Sequence, residues 1–150
     1  MQQSLGTAVT PAFLAYAFTC LVLSLNLLTL WISSGAMRAK GGVAINPEDG
    51  ARYGASMSEL DPPAVARLLR AHRNAEATIY PFLFLGLVYV LAGGGAGTAV
   101  PIFTIFIAAR IAHSIVYLRA MQPWRTISFA TSLLAIVALM AAVLHVVLTA

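Results

Sequence analysis

Residues 67–92 read RLLRAHRNAEATIYPFLFLGLVYVLA, and this stretch decides the fold. Its first half carries three arginines with an imidazole, an amide and a carboxylate, whereas its second half is apolar enough for lipid. If both halves lie on one helix, the charged groups stand where that helix enters a membrane. Charge is costly there unless it is paired, so either the rest of the chain or a ligand must supply partners.

The composition indicates a membrane protein of one domain. Of the 150 residues, 60% are hydrophobic and only 9% are charged, whereas soluble domains carry about 25% charged residues. A spanning helix needs about 20 apolar residues, and the chain has room for four. We therefore predict a single domain over residues 1–150, an all-α bundle of four transmembrane helices.

Capping and breaking residues predict where the helices begin and end. Thr10-Pro11 is one helix start, and Asp61-Pro62-Pro63 is another, with the aspartate as cap. The predicted helices span about residues 12–34, 62–92, 101–121 and 124–148. We predict a loop over the hydrophilic segment 35–61, because its glycines disfavour continuous helix.

The basic residues predict the orientation in the membrane. Apart from Arg110, every Lys and Arg lies between or beside the first two helices, or between the last two. By the positive-inside rule these ends face the cytoplasm. The net charge of +4 does not indicate nucleic acid binding, because the cations form no basic aromatic patch.

The second helix carries a cationic stripe. Positions three, four and seven apart share a helix face, so Arg70, Arg73 and Asn74 lie together, and His72 and Glu76 form an adjacent i,i+4 pair. A cavity lined by arginines suits a small polyanion, because guanidinium binds carboxylate through paired hydrogen bonds. The alternative is that these side chains reach lipid phosphates and bind nothing else.

The third helix carries a second polar stripe, with Arg110, His113 and Tyr117 at i, i+3 and i+7. A mid-helix arginine needs a partner or a wet cavity. Glu76 is the one acid inside a helix at comparable depth, so we expect an Arg110–Glu76 interaction.

Other kinds of site have no support in the sequence. Cys, His and carboxylates form no metal-binding cluster, and neither a phosphate loop nor a serine or cysteine triad is present. A small drug exporter is a poor interpretation, because the first helix lacks an acidic residue.

Three motifs follow one another along the chain: Arg70-Ala71-His72-Arg73-Asn74, residues 78–86 (TIYPFLFLG), and Arg110-x-Ala112-His113-xxx-Tyr117. Together with Asn46-Pro47-Glu48-Asp49 they resemble the MAPEG family, the membrane-associated proteins of eicosanoid and glutathione metabolism. The resemblance spans nearly the whole chain. It implies a four-helix subunit that assembles as a homotrimer, with glutathione between neighbouring subunits near the cytoplasmic face.

The resemblance also implies roles for individual residues. The expected glutathione contacts are Arg38, Arg73, Asn74, His113 and Tyr117, with Arg70 and Arg110 at the inner end of the cavity. Arg125 is the expected stabiliser of the glutathione thiolate, assisted by the hydroxyl of Thr126. Asp49 matches a loop aspartate implicated in the chemistry.

Two positions depart from the family pattern. The glutamate expected seven residues after Arg70 is replaced by Ala77, and the acid is Glu76, about 100° around the helix. Either the helix is over- or underwound, or Glu76 reaches glutathione from another face, or the contact is missing. The tyrosine expected four residues after Arg125 is Phe129, so a hydroxyl near the cofactor is absent.

The resemblance implies a glutathione-dependent membrane transferase, peroxidase or isomerase. A lipophilic electrophile or (endo)peroxide would reach the thiolate laterally from lipid, and attack by the cofactor thiolate needs no protein nucleophile. The alternative is a non-catalytic scaffold that binds lipid or glutathione. The expected location is a bacterial inner membrane or the endoplasmic reticulum, according to the source.

Overall fold

Four long helices form the body of the protein in the computed structural model, which describes residues 9–149. They are α1 (Pro11–Lys40), α3 (Pro63–Leu91), α4 (Ala96–Leu118) and α5 (Trp124–Thr149), and the short α2 (Pro47–Tyr53) follows α1. The shortest long helix has 23 residues, or about 35 Å at about 1.5 Å per residue. All four are long and apolar enough to cross a membrane, so the predicted four-helix transmembrane bundle is confirmed.

Packing around the bundle follows the order α1, α3, α5, α4, and α3 also contacts α4 across the middle. Between α3 and α4 the core is aromatic. The rings of Phe82 and Phe106 stack with centroids 3.6 Å apart, and Phe103 meets Phe82 edge-on at 5.6 Å. Large apolar side chains remain exposed on the outward faces, as expected where lipid is the solvent.

The segment predicted as a loop, residues 35–61, is more ordered than expected. Helix α1 continues through Gly35 to Lys40, because one helical glycine costs only about 1 kcal/mol. Beyond it, β1 (Val43–Ala44) pairs in parallel with β2 (Ser56–Met57), and α2 lies between the two strands. Gly54 does end a helix, at a φ of 62°.

Two predicted helix starts are also wrong. Helix α4 begins at Ala96, five residues before Pro101, because a proline early in a helix forgoes only one backbone hydrogen bond. Asp61 does not cap α3, whose N-cap is Pro62 without a side-chain hydrogen bond. The Asp61 carboxylate instead accepts from the guanidinium of Arg38, a charge-assisted bond that is stronger than a neutral one.

One face of α3 is not covered by the other helices of the chain. Its members alternate three and four residues apart, and all are exposed: Arg70, Arg73, Ala77, Tyr80, Phe84, Leu87 and Leu91. We refer to these seven residues as the α3 seam. Spacing of this kind is typical of helices that pack along one another.

Gly86 allows α3 to approach α1 closely. A Cβ atom at this position would lie 3.1 Å from Cδ2 of Tyr16 and 3.5 Å from Cζ of Phe103. We predict that Gly86→Leu lowers the free energy of unfolding by about 1–3 kcal/mol through overpacking. Thermal unfolding of the purified protein in detergent measures the effect.

Gly97→Leu is the matched control, because a Cβ atom at Gly97 would meet nothing within 4 Å. Equal destabilisation by both leucines would show that close approach at Gly86 is not the cause.

Candidate functional site

A buried guanidinium lies at the centre of the bundle. Arg110 of α4 is 0% exposed. Its Nη2 donates to Oδ1 of Asn74 on α3 at 3.1 Å, and its Nη1 donates to Oγ of Ser132 on α5 at 3.5 Å. Its Nε has no hydrogen-bond partner among the described residues. Arg110 therefore connects three helices while it retains its charge and an Nε–H donor that no described residue accepts.

The predicted Arg110–Glu76 interaction is wrong, because each residue has other partners in the chain. Oε2 of Glu76 lies 3.4 Å from Nδ1 of His72, and Oε1 accepts from the hydroxyl of Tyr80 at 3.2 Å. Asn74 and Glu76 are two positions apart, about 200° around the helix, so only one of them faces Arg110. Glu76 lines a different cavity, between α1 and α3.

An open cavity of about 300 Å³ collects residues predicted for the site. It is lined by Asn74, His113, Tyr117, Arg125, Thr126 and Phe129. These side chains come from α3, α4 and α5, and no acidic residue of the described chain is among them. We refer to this space as the Arg125 cavity.

His113 is held against the first turn of α5. Its Nδ1 lies 3.1 Å from the carbonyl oxygen of Arg125 and 3.2 Å from Oγ of Ser128. Because a carbonyl oxygen only accepts hydrogen bonds, this contact places the proton on Nδ1. The neutral ring then offers Nε2 as an acceptor, and Nε2 has no partner among the described residues.

Arg125 is oriented by its neighbours without a carboxylate. Its Cζ lies 5.2 Å from the centre of the Tyr117 ring. When the side-chain amide of Gln122 is flipped, its oxygen accepts from Nε and Nη2 of Arg125 at 3.2 and 2.7 Å. Its nitrogen then donates to Oγ1 of Thr126 at 3.1 Å. Gln122 was not predicted as a residue of the site. The one indication of this role in the sequence is its position just before α5. The positive charge of Arg125 thus remains available to a ligand.

Arg38 and Asp49 line a second cavity, of about 340 Å³, at the end of α1. Nε and Nη2 of Arg38 both donate to Oδ1 of Asp61, at 2.9 and 2.7 Å. Asp49 accepts from Nδ2 of Asn46 at 3.2 Å. Asp61 was missed as a partner of Arg38, because its place before two prolines indicated a helix cap. We refer to this space as the Arg38 cavity.

The remaining predicted cations lie on the α3 seam. Arg70 and Arg73 are exposed, and within residues 9–149 neither forms an ion pair. The residues predicted for the site are therefore divided. Most lie in the Arg125 cavity, in the Arg38 cavity or on the α3 seam, whereas Arg110 is buried in the core and Glu76 lines the cavity between α1 and α3.

The Arg110–Asn74 hydrogen bond leads to a stability prediction. We expect Asn74→Leu to lower the free energy of unfolding by about 1.5–3 kcal/mol, because the buried cation loses its better acceptor. Thermal unfolding in detergent without added ligand measures the loss.

Asn26→Leu on α1 is the matched control, because the Nδ2 of Asn26 is buried without a partner among the described residues. The explanation fails if Asn26→Leu destabilises the protein as much as Asn74→Leu does.

Comparison with known proteins places this geometry in a family. A model described as the MAPEG family matches residues 16–145. Prostaglandin E synthase from Homo sapiens is 36% identical over 121 residues, which cover 80% of each chain. Microsomal glutathione S-transferase 1 from Rattus norvegicus is 36% identical over 134 residues, 86% of this chain and 84% of the relative. The chain therefore belongs to the MAPEG family.

Proposed function

We propose that this protein is a glutathione-dependent membrane enzyme that acts on lipophilic electrophiles or peroxides. The observation that carries the proposal is the Arg125 cavity, where a guanidinium, a histidine nitrogen and hydroxyl groups converge without any acidic residue. Uncompensated positive charge at membrane depth is costly, so the cavity favours an anionic occupant. Glutathione offers two carboxylates and a thiol, and the names of the relatives include a glutathione transferase.

The residues present fit glutathione chemically. No described residue partners Nε of Arg110, a buried donor, or Nε2 of His113, a buried acceptor, so polar capacity remains for a polar ligand. In this proposal Arg38, Arg73 and Arg70 bind carboxylates, and Asn74, His113 and Tyr117 hydrogen-bond the peptide. Arginine suits the first task because its planar donors match a carboxylate.

Arg125 and Thr126 have the central role in the proposed chemistry. When bound, glutathione supplies a thiolate that attacks an electrophilic carbon or a peroxide oxygen. The guanidinium of Arg125 favours the thiolate over the thiol, since a neighbouring cation stabilises negative sulfur, and the Thr126 hydroxyl adds a donor. Asp49 is a further candidate for proton transfer, from the Arg38 cavity.

We infer that the active unit is a homotrimer with each site shared by two subunits. Two observations support this assembly. The predicted ligand residues of one chain line two separate cavities, and Arg73 projects from the exposed α3 seam. Packing along the seam buries its apolar members and brings the Arg38 cavity of one subunit towards the Arg125 cavity of its neighbour.

We place the site at the cytoplasmic face of the membrane, because the basic residues cluster at one end of the bundle. The lipophilic substrate then arrives through the surrounding lipid. A non-catalytic scaffold is the second candidate, and Phe129 favours it, because an aromatic ring without a hydroxyl lines the Arg125 cavity.

The thiolate proposal predicts a spectral signal. Titration of the purified protein with glutathione should raise the ultraviolet absorbance of thiolate, and the protein should conjugate glutathione to a reactive aryl halide. Arg125→Gln should abolish the absorbance change and lower kcat/KM by about 10²-fold, because it removes a charge from the reacting centre.

Arg119→Gln is the matched control, because Arg119 is exposed at the end of α4, six residues before Arg125, and should leave both signals unchanged. A wild-type protein that binds glutathione without either signal would favour the scaffold instead.

The shared-site proposal predicts complementation between inactive chains. Arg38→Ala and Arg125→Gln should each lower conjugation when expressed alone. Because a neighbour would supply the missing residue, co-expression with different affinity tags should restore part of the activity in mixed oligomers. Mixed oligomers that are isolated through both tags yet remain inactive would contradict the shared site.

A further inference from the structure

The cavity between α1 and α3 lies outside the proposed glutathione site. Its polar wall is a ladder of three side chains one helical turn apart on α3, His72, Glu76 and Tyr80. Its volume is about 450 Å³, which is enough for a small amphiphile. Tyr80 belongs to the α3 seam, so a neighbouring subunit of the proposed trimer would border the cavity on that side.

Glu76 carries the charge of this cavity. It is the only acidic residue within the four long helices. Its side chain is 33% exposed, and among residues 9–149 its two oxygens meet only the Tyr80 hydroxyl at 3.2 Å and Nδ1 of His72 at 3.4 Å. A carboxylate has about four acceptor directions, so capacity remains for a donor from a ligand.

The opposite wall is apolar and aromatic. Helix α1 contributes Leu27, Leu28 and Trp31, with Ser24 as its one hydroxyl. Among the described residues that line the cavity, the His72 imidazole is the one group other than Glu76 that can carry a charge. A cation beside this carboxylate can also use the ring of Trp31, because indole faces attract ammonium groups.

From this arrangement we propose that the α1–α3 cavity binds lipophilic amines. The ammonium group binds the Glu76 carboxylate and the hydroxyl of Tyr80, while the hydrocarbon body lies along Leu27, Leu28 and Trp31. Charge selects against fatty acids, which the carboxylate repels, and against neutral alcohols, which lack the attraction. The site goes beyond the proposed glutathione chemistry and uses none of the residues of the Arg125 or Arg38 cavities.

Two sources supply this chemistry in a membrane. One is the ammonium headgroup of phosphatidylethanolamine, and the other is a free amphiphilic amine. Each would place its ammonium group at Glu76. The lipid composition of the membrane is therefore varied to distinguish the two sources.

Fluorescence of Trp31 provides the measurement. The chain has two tryptophans, Trp31 and Trp124, so Trp124→Phe leaves the cavity residue as the sole reporter. We expect dodecylamine to change its emission saturably in phosphatidylcholine nanodiscs without glutathione, whereas dodecanol does not. Glu76→Gln should weaken the apparent affinity about tenfold or more, through loss of the charge-assisted contact.

Glu59→Gln is the matched control, because Glu59 is an exposed carboxylate before α3, and it should leave amine binding unchanged. His72→Gln removes the neighbouring imidazole and should leave binding at least as tight. The proposal is overturned if dodecanol matches dodecylamine, if Glu76→Gln binds like the parent, or if His72→Gln weakens binding as much as Glu76→Gln.

Replacement of part of the phosphatidylcholine by phosphatidylethanolamine then identifies the source. Competition that raises the apparent Kd for dodecylamine supports the lipid headgroup as occupant. An unchanged Kd supports a free amine. Because the assay contains no glutathione, its failure leaves the enzymatic proposal intact, and failure of the thiolate titration leaves this one intact.

Discussion

The buried guanidinium of Arg110 is the constraint on which the rest of the structure depends. It is 0% exposed, and its acceptors within the part of the chain that the structure describes are neutral, on Asn74 and Ser132. A carboxylate would cancel its charge, whereas an amide and a hydroxyl orient it and leave the charge in place. The contacts also tie α3 and α5 to α4, the three helices whose side chains form the Arg125 cavity.

Acidic residues lie away from Arg110. Their positions distinguish the Arg125 cavity, which no described acidic residue lines, from the other two cavities. The Asp61 carboxylate accepts hydrogen bonds from Arg38 at the end of α1. It thereby orients this arginine, which does not line the Arg125 cavity. Glu76 lies on the face of α3 towards α1. The Arg125 cavity is therefore left with one cation, hydrogen-bonding groups and aromatic rings, and a cation with hydrogen-bond donors suits an anionic ligand.

A shift of one residue along α3 has a large structural consequence. In the family pattern an acid is expected at position 77, which lies on the exposed α3 seam in this structure. Here the acid is Glu76, about 100° away, and it joins His72 and Tyr80 instead. Within the described chain, α3 places Glu76 in the α1–α3 cavity.

The sequence by itself determined the membrane class and the four spanning helices, because apolar length is a local property of the chain. The residues that line the Arg125 cavity were expected from the family resemblance, and the structure brings them together. The i,i+4 spacing also predicted the pairing of His72 with Glu76, but the sequence did not determine the partners of Arg110 and Arg38. These depend on which faces of α1, α3 and α5 meet, and therefore on packing between residues far apart in the chain. The order within segment 35–61 was also missed, since the β1–β2 pairing joins residues 13 positions apart. Only the tertiary structure decided that the predicted ligand residues occupy three cavities, the buried core and an exposed seam.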